Sequence, residues 1–202
     1  MPAMVLAIML VAIIGTSSAA TNLAVTPNNL NTLNSFTNSG AWYNIGANSY
    51  VLNWYGGGQY FAQPNPNLQT IAPALYSSKV TATVMCDPNG YLWRECVSMV
   101  KNLAHSSIVV GSWRPGKHVV DGGVSTGTVI AKFTNGRFVS GQDHTAIFRQ
   151  YTYDSRGNIN GMMVWDQNFI KVNRQGVVAM HVIPKTGYGG VSDASTYYVV
   201  QV

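Results

Sequence analysis

Most of the second half of the chain alternates apolar and polar positions with the period of strands, and one stretch breaks that rhythm. Between residues 95 and 105, Val97, Val100, Leu103 and Ala104 recur at steps of three and four with Cys96 on the same face, while Ser98, Lys101 and Asn102 fall on the polar side. That spacing predicts an amphipathic helix that opens on Cys96. Strands are expected near 127 to 133, 138 to 140, 144 to 151, 162 to 167, 177 to 183 and 196 to 201, with Asn135-Gly136 as a two-residue hairpin signal between the first two. One helix followed by antiparallel strands is an α+β pattern.

Register arithmetic then places three reactive side chains. The turn-forming run Asp154-Ser155-Arg156-Gly157-Asn158 separates the strands at 144 to 151 and 162 to 167. A turn centred near residue 155 or 156 pairs residue i with about 310 − i or 312 − i, so His144 falls opposite Asp166 or one diagonal step from it. Met162, Val164 and Asp166 share one face by period two, as do His144, Ala146 and Phe148. A thiol is a weak nucleophile until it loses its proton. A helix start and a neighbouring imidazole favour that loss, and a carboxylate fixes the imidazole tautomer. Taken singly, each residue has an ordinary account: a buried structural cysteine, or strand-end residues that satisfy loop backbone.

The first part of the chain is of another kind. Residues 21 to 75 are rich in Asn, Gly, Pro, Ser and Thr with almost no charge, which leaves little to build an independent core. The expected division is therefore residues 1–20, an N-terminal arm over 21–80 and a catalytic domain over 81–202. Trp42-Tyr43-Asn44-Ile45-Gly46 and the run from Trp54 to Phe61 echo each other within the arm, as a hairpin against the main domain or as a sugar-stacking surface. Residues 4 to 14 are continuously apolar and are followed by small residues up to Ala19 and Ala20, the pattern of a cleaved secretory signal. The run is too short to span a bilayer. A secreted, extracellular, monomeric protein without stable membrane association is expected.

Charge narrows the partners. Only 9% of the 202 residues are charged, yet they sum to +5, which suits an anionic polymer such as a bacterial wall. The basic residues are scattered and no nucleic-acid motif accompanies them, so nucleic acid is not an expected partner. His105, His118 and His181 are dispersed and no zinc-binding spacing occurs, so these are read as surface or core residues and no metal or cofactor is expected.

Several motifs taken together resemble a known family. Glu95-Cys96-Val97-Ser98-Met99-Val100-Lys101, Ser112-Trp113-Arg114-Pro115-Gly116, the run from Gly127 to Phe138, His144-Thr145-Ala146-Ile147-Phe148 and Val164-Trp165-Asp166-Gln167 resemble the secreted NlpC/P60 and CHAP amidase group over about residues 90 to 202. The resemblance implies a papain-like core, in which the helix carrying Cys packs on an antiparallel β-sheet. It also implies Cys96 as nucleophile, His144 as general base and Asp166 as the group that orients the imidazole. The implied substrate is peptidoglycan or its peptide fragments, cleaved through a thioester. Where the resemblance places an aromatic residue directly after Asp-Gln, this chain has Asn168, with Phe169 one place later.

Two other readings start from the same residues. Cys86 and Cys96 flank the turn Asp87-Pro88-Asn89-Gly90, and a disulfide between them would leave a non-catalytic wall-binding or glycan-binding protein. A cysteine peptidase acting on proteins would keep the same three residues.

Overall fold

Thr26 and Pro27 start the first helix: the Thr26 hydroxyl accepts from the Asn29 N–H at 3.4 Å, and proline occupies the first helical position, where its missing donor and fixed φ cost nothing. In the computed structural model, which describes residues 19–39, 42–46, 49–54, 69–71, 81–84, 95–172 and 175–202, this is helix α1 (Pro27–Ser39). Helix α2 (Cys96–Leu103) follows later, and the described residues also form ten strands. They are β1 (Trp42–Gly46), β2 (Ser49–Trp54), β3 (Gln69–Ile71), β4 (Thr81–Val84), β5 (Arg114–His118), β6 (Val129–Lys132), β7 (Thr145–Tyr153), β8 (Ile159–Val172), β9 (Gln175–Pro184) and β10 (Tyr197–Gln201). Every pairing among them is antiparallel, in the order β3-β4-β2-β9-β8-β7-β6-β10-β5 with β1 also on β2.

The β7–β8 register follows the 312 − i rule near the site, with Ala146 paired to Asp166 and Phe148 to Val164. Asp154 closes the turn by accepting from the N–H groups of Arg156 and Asn158. Side chains alternate between two apolar layers. Ala131, Ile147, Trp165, Val178 and Val200 lie in the layer with Val97, Met99, Val100 and Leu103 of α2. Ile130, Ala146, Phe148, Val164 and Ile183 form the other layer, with Val119, Ala194 and Tyr197.

Three expectations change. Helix α2 has no solvent-facing polar side: all eight of its residues are buried, Ser98, Lys101 and Asn102 included. Its far end is covered from α1, where the Thr26 N–H and the Asn29 side-chain amide both donate to the Leu103 carbonyl, at 3.0 and 2.8 Å. The segment 138 to 140 is not a strand. The Asn135-Gly136 turn closes only an isolated bridge between Thr134 and Arg137, and the chain then bends where Gln142 and Asp143 donate to the Val139 carbonyl.

The third change concerns the proposed arm. Residues 21–25 wedge between the diverging ends of β10 and β6: the Leu23 N–H donates to Val200 O at 2.8 Å, and the Val129 N–H to Leu23 O at 2.8 Å. Leu23, Val25 and Leu33 are buried in the α2 layer, and Trp165 Nε1 donates to Thr37 Oγ1 at 3.1 Å. The described beginning of the arm is thus part of the core. The polar composition concealed a narrow apolar stripe (Leu30, Leu33, Phe36) that a helix needs and no more. Strands β1 to β4 continue the same sheet. The apolar run at 4 to 14, most of the second aromatic echo and Cys86 lie outside the described residues. Among the described residues no helix is long and apolar enough to cross a membrane.

Candidate active site

Cys96 occupies the first turn of α2, after Glu95 in extended conformation (φ −82°, ψ 161°). The Glu95 side chain makes no capping hydrogen bond, so it does not occupy the helix-start N–H groups beside the thiol. The Cys96 thiol is free and buried. His144 lies one residue before β7, and its Nε2 is 2.9 Å from Asp166 Oδ2. The same imidazole shares the cavity wall with Cys96 and lies close enough to its thiol for the two groups to interact. With Nε2 on the carboxylate, Nδ1 is the nitrogen left for sulfur. The structure therefore brings together all three residues singled out in the sequence.

The electrostatics follow from burial and pairing. Burial disfavours the charged imidazole of His144, but the hydrogen bonds and charges of Asp166 and Cys96 outweigh it and raise the group from 6.5 to about 10. Asp166 is fully buried, which works against its charge. His181 and His144 reverse that and hold the carboxyl down at about 2. His181 is itself shifted upward: burial opposes its charge and Asp166 overcomes the penalty.

Four consecutive residues of β8 organise this site. Asp166 accepts from two imidazoles, since His181 Nε2 also lies 2.8 Å from Oδ2. Gln167 donates to the Glu95 carbonyl at 2.9 Å, and Asn168 donates to Glu95 Oε2 at 3.0 Å. Asn168 has φ +75°, a left-handed conformation that Asn tolerates, and the β8–β9 register breaks between Gln167 and Lys171. Phe169 follows this bulge and turns toward the two histidines. Its ring stacks on His181 (centroids 4.4 Å, interplanar angle 24°) and meets His144 edge-on (5.4 Å, 64°).

A cavity of about 530 Å³ opens over Cys96 and His144. Glu95, Val97, Asn168 and Phe169 line it together with the loop residues Phe138, Ser140, Gly141, Gln142 and Asp143, and Val191 and Ser192 close the far side. The loop is shaped by Asp143, which pairs with Lys132 and accepts from the N–H groups of Thr134 (3.1 Å) and Val139 (2.7 Å). Burial opposes the Asp143 charge, but these donors prevail and lower its pKa.

Sequence reasoning passed over His181. The signal was present: a hairpin turning near residue 173 pairs residue i of β8 with 345 − i of β9, as observed for Val164 with His181 and Asp166 with Ala179. That register sets His181 diagonally beside Asp166 on the same face. His118 instead bonds Asp121 and the Ser195 carbonyl, away from the cavity.

Fold and site together define a mixed α/β protein in which a helix-start thiol and an imidazole line a cavity, with a buried carboxylate behind the imidazole. Residues 67–200 match the family described as Domesticated amidase effector 2 (Dae2), and the chain belongs to that family. The match is to this amidase family rather than to the NlpC/P60 or CHAP groups. Among solved structures the chain is similar to "Type 6 secretion amidase effector 2 (Tae2)", at 26% identity over 52% of this chain and 79% of that one, with a TM-score of 0.42. No curated protein sequence matches it.

Proposed function

We propose that this protein is a cysteine amidase with a papain-like core that cleaves an amide bond of bacterial peptidoglycan, with Cys96 as nucleophile, His144 as acid and base, and Asp166 as the group that orients the imidazole. The observation that carries this reading is the juxtaposition of Cys96 and His144 in the wall of one open cavity, with the His144 imidazole held from behind by the buried Asp166. Membership of an amidase family and a net charge of +5, suited to an anionic wall polymer, support the substrate.

In this mechanism Cys96 passes its proton to His144 and the sulfur attacks the amide carbon. The C–N bond breaks as His144 returns the proton to the departing amine, leaving a thioester. Water then adds to the thioester carbon while His144 takes its proton. The C–S bond breaks, and that proton returns to the sulfur. The uncapped N–H groups at the start of α2 are suited to hold the oxyanion. A leader over residues 1–20, a secreted location and a monomeric enzyme complete the proposal.

The disulfide alternative is disfavoured by the free Cys96 thiol. Mass spectrometry of purified peptidoglycan digested with the protein and with Cys96→Ala tests the proposal. New amide-cleavage fragments with the first and none with the second are expected. Identical digests from both would refute it.

A further inference from the structure

Both hydrogen bonds to Asp166 converge on one oxygen. His144 Nε2 and His181 Nε2 lie 2.9 and 2.8 Å from Oδ2, and among the described residues nothing hydrogen-bonds Oδ1. The carboxylate is fully enclosed, and a buried charge is costly unless a counter-charge stays with it. His144 cannot supply one throughout a reaction in which it gives up its proton.

We propose that His181 is a positioning residue that remains an imidazolium and keeps Asp166 ionised and aimed at His144 while His144 is neutral. This rests on the reading of Cys96 and His144 as the reacting pair. His181 is 2% exposed, and both of its nitrogens face acceptors: Nε2 faces Asp166, and Nδ1 faces the Val182 carbonyl in a weak contact at 3.4 Å. A ring with two acceptors carries two protons and a positive charge. Phe169, stacked at 4.4 Å, fixes its plane and presents an aromatic face to that charge.

Among the described residues the surroundings add no competing ion. From β8 the ring meets Asp166, from the start of β7 it senses His144, and Cys96 stands beyond at the start of α2. On β2 the residue paired with His181 is Ser49, which is uncharged. Tyr197, in the layer below, spends its hydroxyl on the Val191 carbonyl.

The consequence is directional. A cation held on Asp166 weakens the grip of the carboxylate on the His144 proton, so His144 releases that proton to the leaving amine more readily. His181→Gln keeps a donor but removes the charge. In the full-length protein, NMR titration of the imidazoles should show the His144 midpoint moving upward by about one pH unit in His181→Gln. The shift should vanish when Asp166→Asn is already present. On peptidoglycan fragments kcat should fall about tenfold with KM nearly unchanged. A His144 midpoint that stays put or moves down in folded His181→Gln would overturn the proposal. So would wild-type ring nitrogen shifts that show His181 neutral at pH 7, a measurement that needs no variant. Wild-type protein that titrates as expected but cleaves nothing would count against the amidase reading alone.

Discussion

Gln167 donates its side-chain amide to the Glu95 carbonyl across 2.9 Å, and this bond ties the strand that bears Asp166 to the turn that starts the Cys96 helix. Two elements far apart in sequence are thereby held in one register at the point where the thiol and the imidazole must meet. Gln167→Ala should lower kcat by on the order of 10², the loss that accompanies a misplacement of about 1 Å between reacting groups. It should also lower stability by about 0.5–1.5 kcal/mol, the net contribution of one hydrogen bond, since the Glu95 carbonyl keeps the Ser98 N–H as a second donor. Steady-state kinetics and urea denaturation measure the two effects separately.

Cys96→Ala and His144→Ala should each abolish turnover while leaving the circular dichroism spectrum and thermal transition in place. Asp166→Asn should retain weak activity, reduced on the order of 10³ to 10⁴, because the imidazole loses its orienting partner but not its place. Iodoacetamide should label the wild-type thiol faster than the thiol of His144→Ala, since a protonated imidazole favours the reactive thiolate. Fully active Asp166→Asn would move the orienting role elsewhere.

Stability should vary with pH in a way set by the same groups. His144 holds its proton more tightly folded than unfolded, so its contribution is complete below pH 6.5 and is lost as pH rises toward about 10. Asp166 holds its proton less tightly when folded, so its contribution is present above pH 3.8 and is lost as pH falls toward about 2. His181, also raised, loses its share on the alkaline side. Thermal melts from pH 2 to 10 should show a plateau between about pH 4 and 6.5 with decline on both sides, and Asp166→Asn should flatten both limbs.

A chain beginning at Ser78 should fail to fold. It lacks Leu23, Val25 and Leu33, each buried in the α2 layer, and burial of such side chains contributes about 1.5–3 kcal/mol apiece. Their sum approaches the whole stability of an ordinary domain, about 5–15 kcal/mol. Leu33→Ala alone should cost about 2–5 kcal/mol in denaturant unfolding. A soluble, cooperatively melting fragment would show instead that the N-terminal segment is separable.

Asp143→Ala should act on the wall of the cavity. The carboxylate holds Lys132, Thr134 and Val139 together, so its loss releases a lysine and frees the loop that carries Phe138 to Gln142. Breaking this half-buried set of bonds costs about 1–3 kcal/mol, since Lys132 keeps water and Thr134 Oγ1. KM should rise more than kcat falls, because the loop lines the cavity without contributing to the Cys96–His144–Asp166 line. Equal losses in both would place Asp143 closer to the chemistry.

How much of this was legible varies with the range of the interaction that decides it. The Cys96 helix and the His144–Asp166 pairing were readable because spacing and a single hairpin turn fix them locally. His181 was not read because its meaning depends on the pairing of β8 with β9, whose connection carries a weaker sequence signal than the run from Asp154 to Asn158. Helix α1 had its cap and its stripe in plain view at Thr26, Pro27, Leu30, Leu33 and Phe36, but the surrounding asparagines diluted them. The Asn168 bulge is a choice of backbone conformation that only the packing of Phe169 on two histidines reveals.

Strand β10 comes last among the strands yet lies between β5 and β6, and its far end is bonded to Leu23. Contacts between residues 23 and 200 join positions nearly a chain length apart, so the entropy of closing that loop must be met before the sheet can be sealed. During synthesis α2 and strands β7 to β9 emerge well before the residues that complete the sheet beside them. The nascent protein therefore carries open strand edges on β5 and β6 until β10 arrives, a period in which those edges are exposed to pairing with other chains.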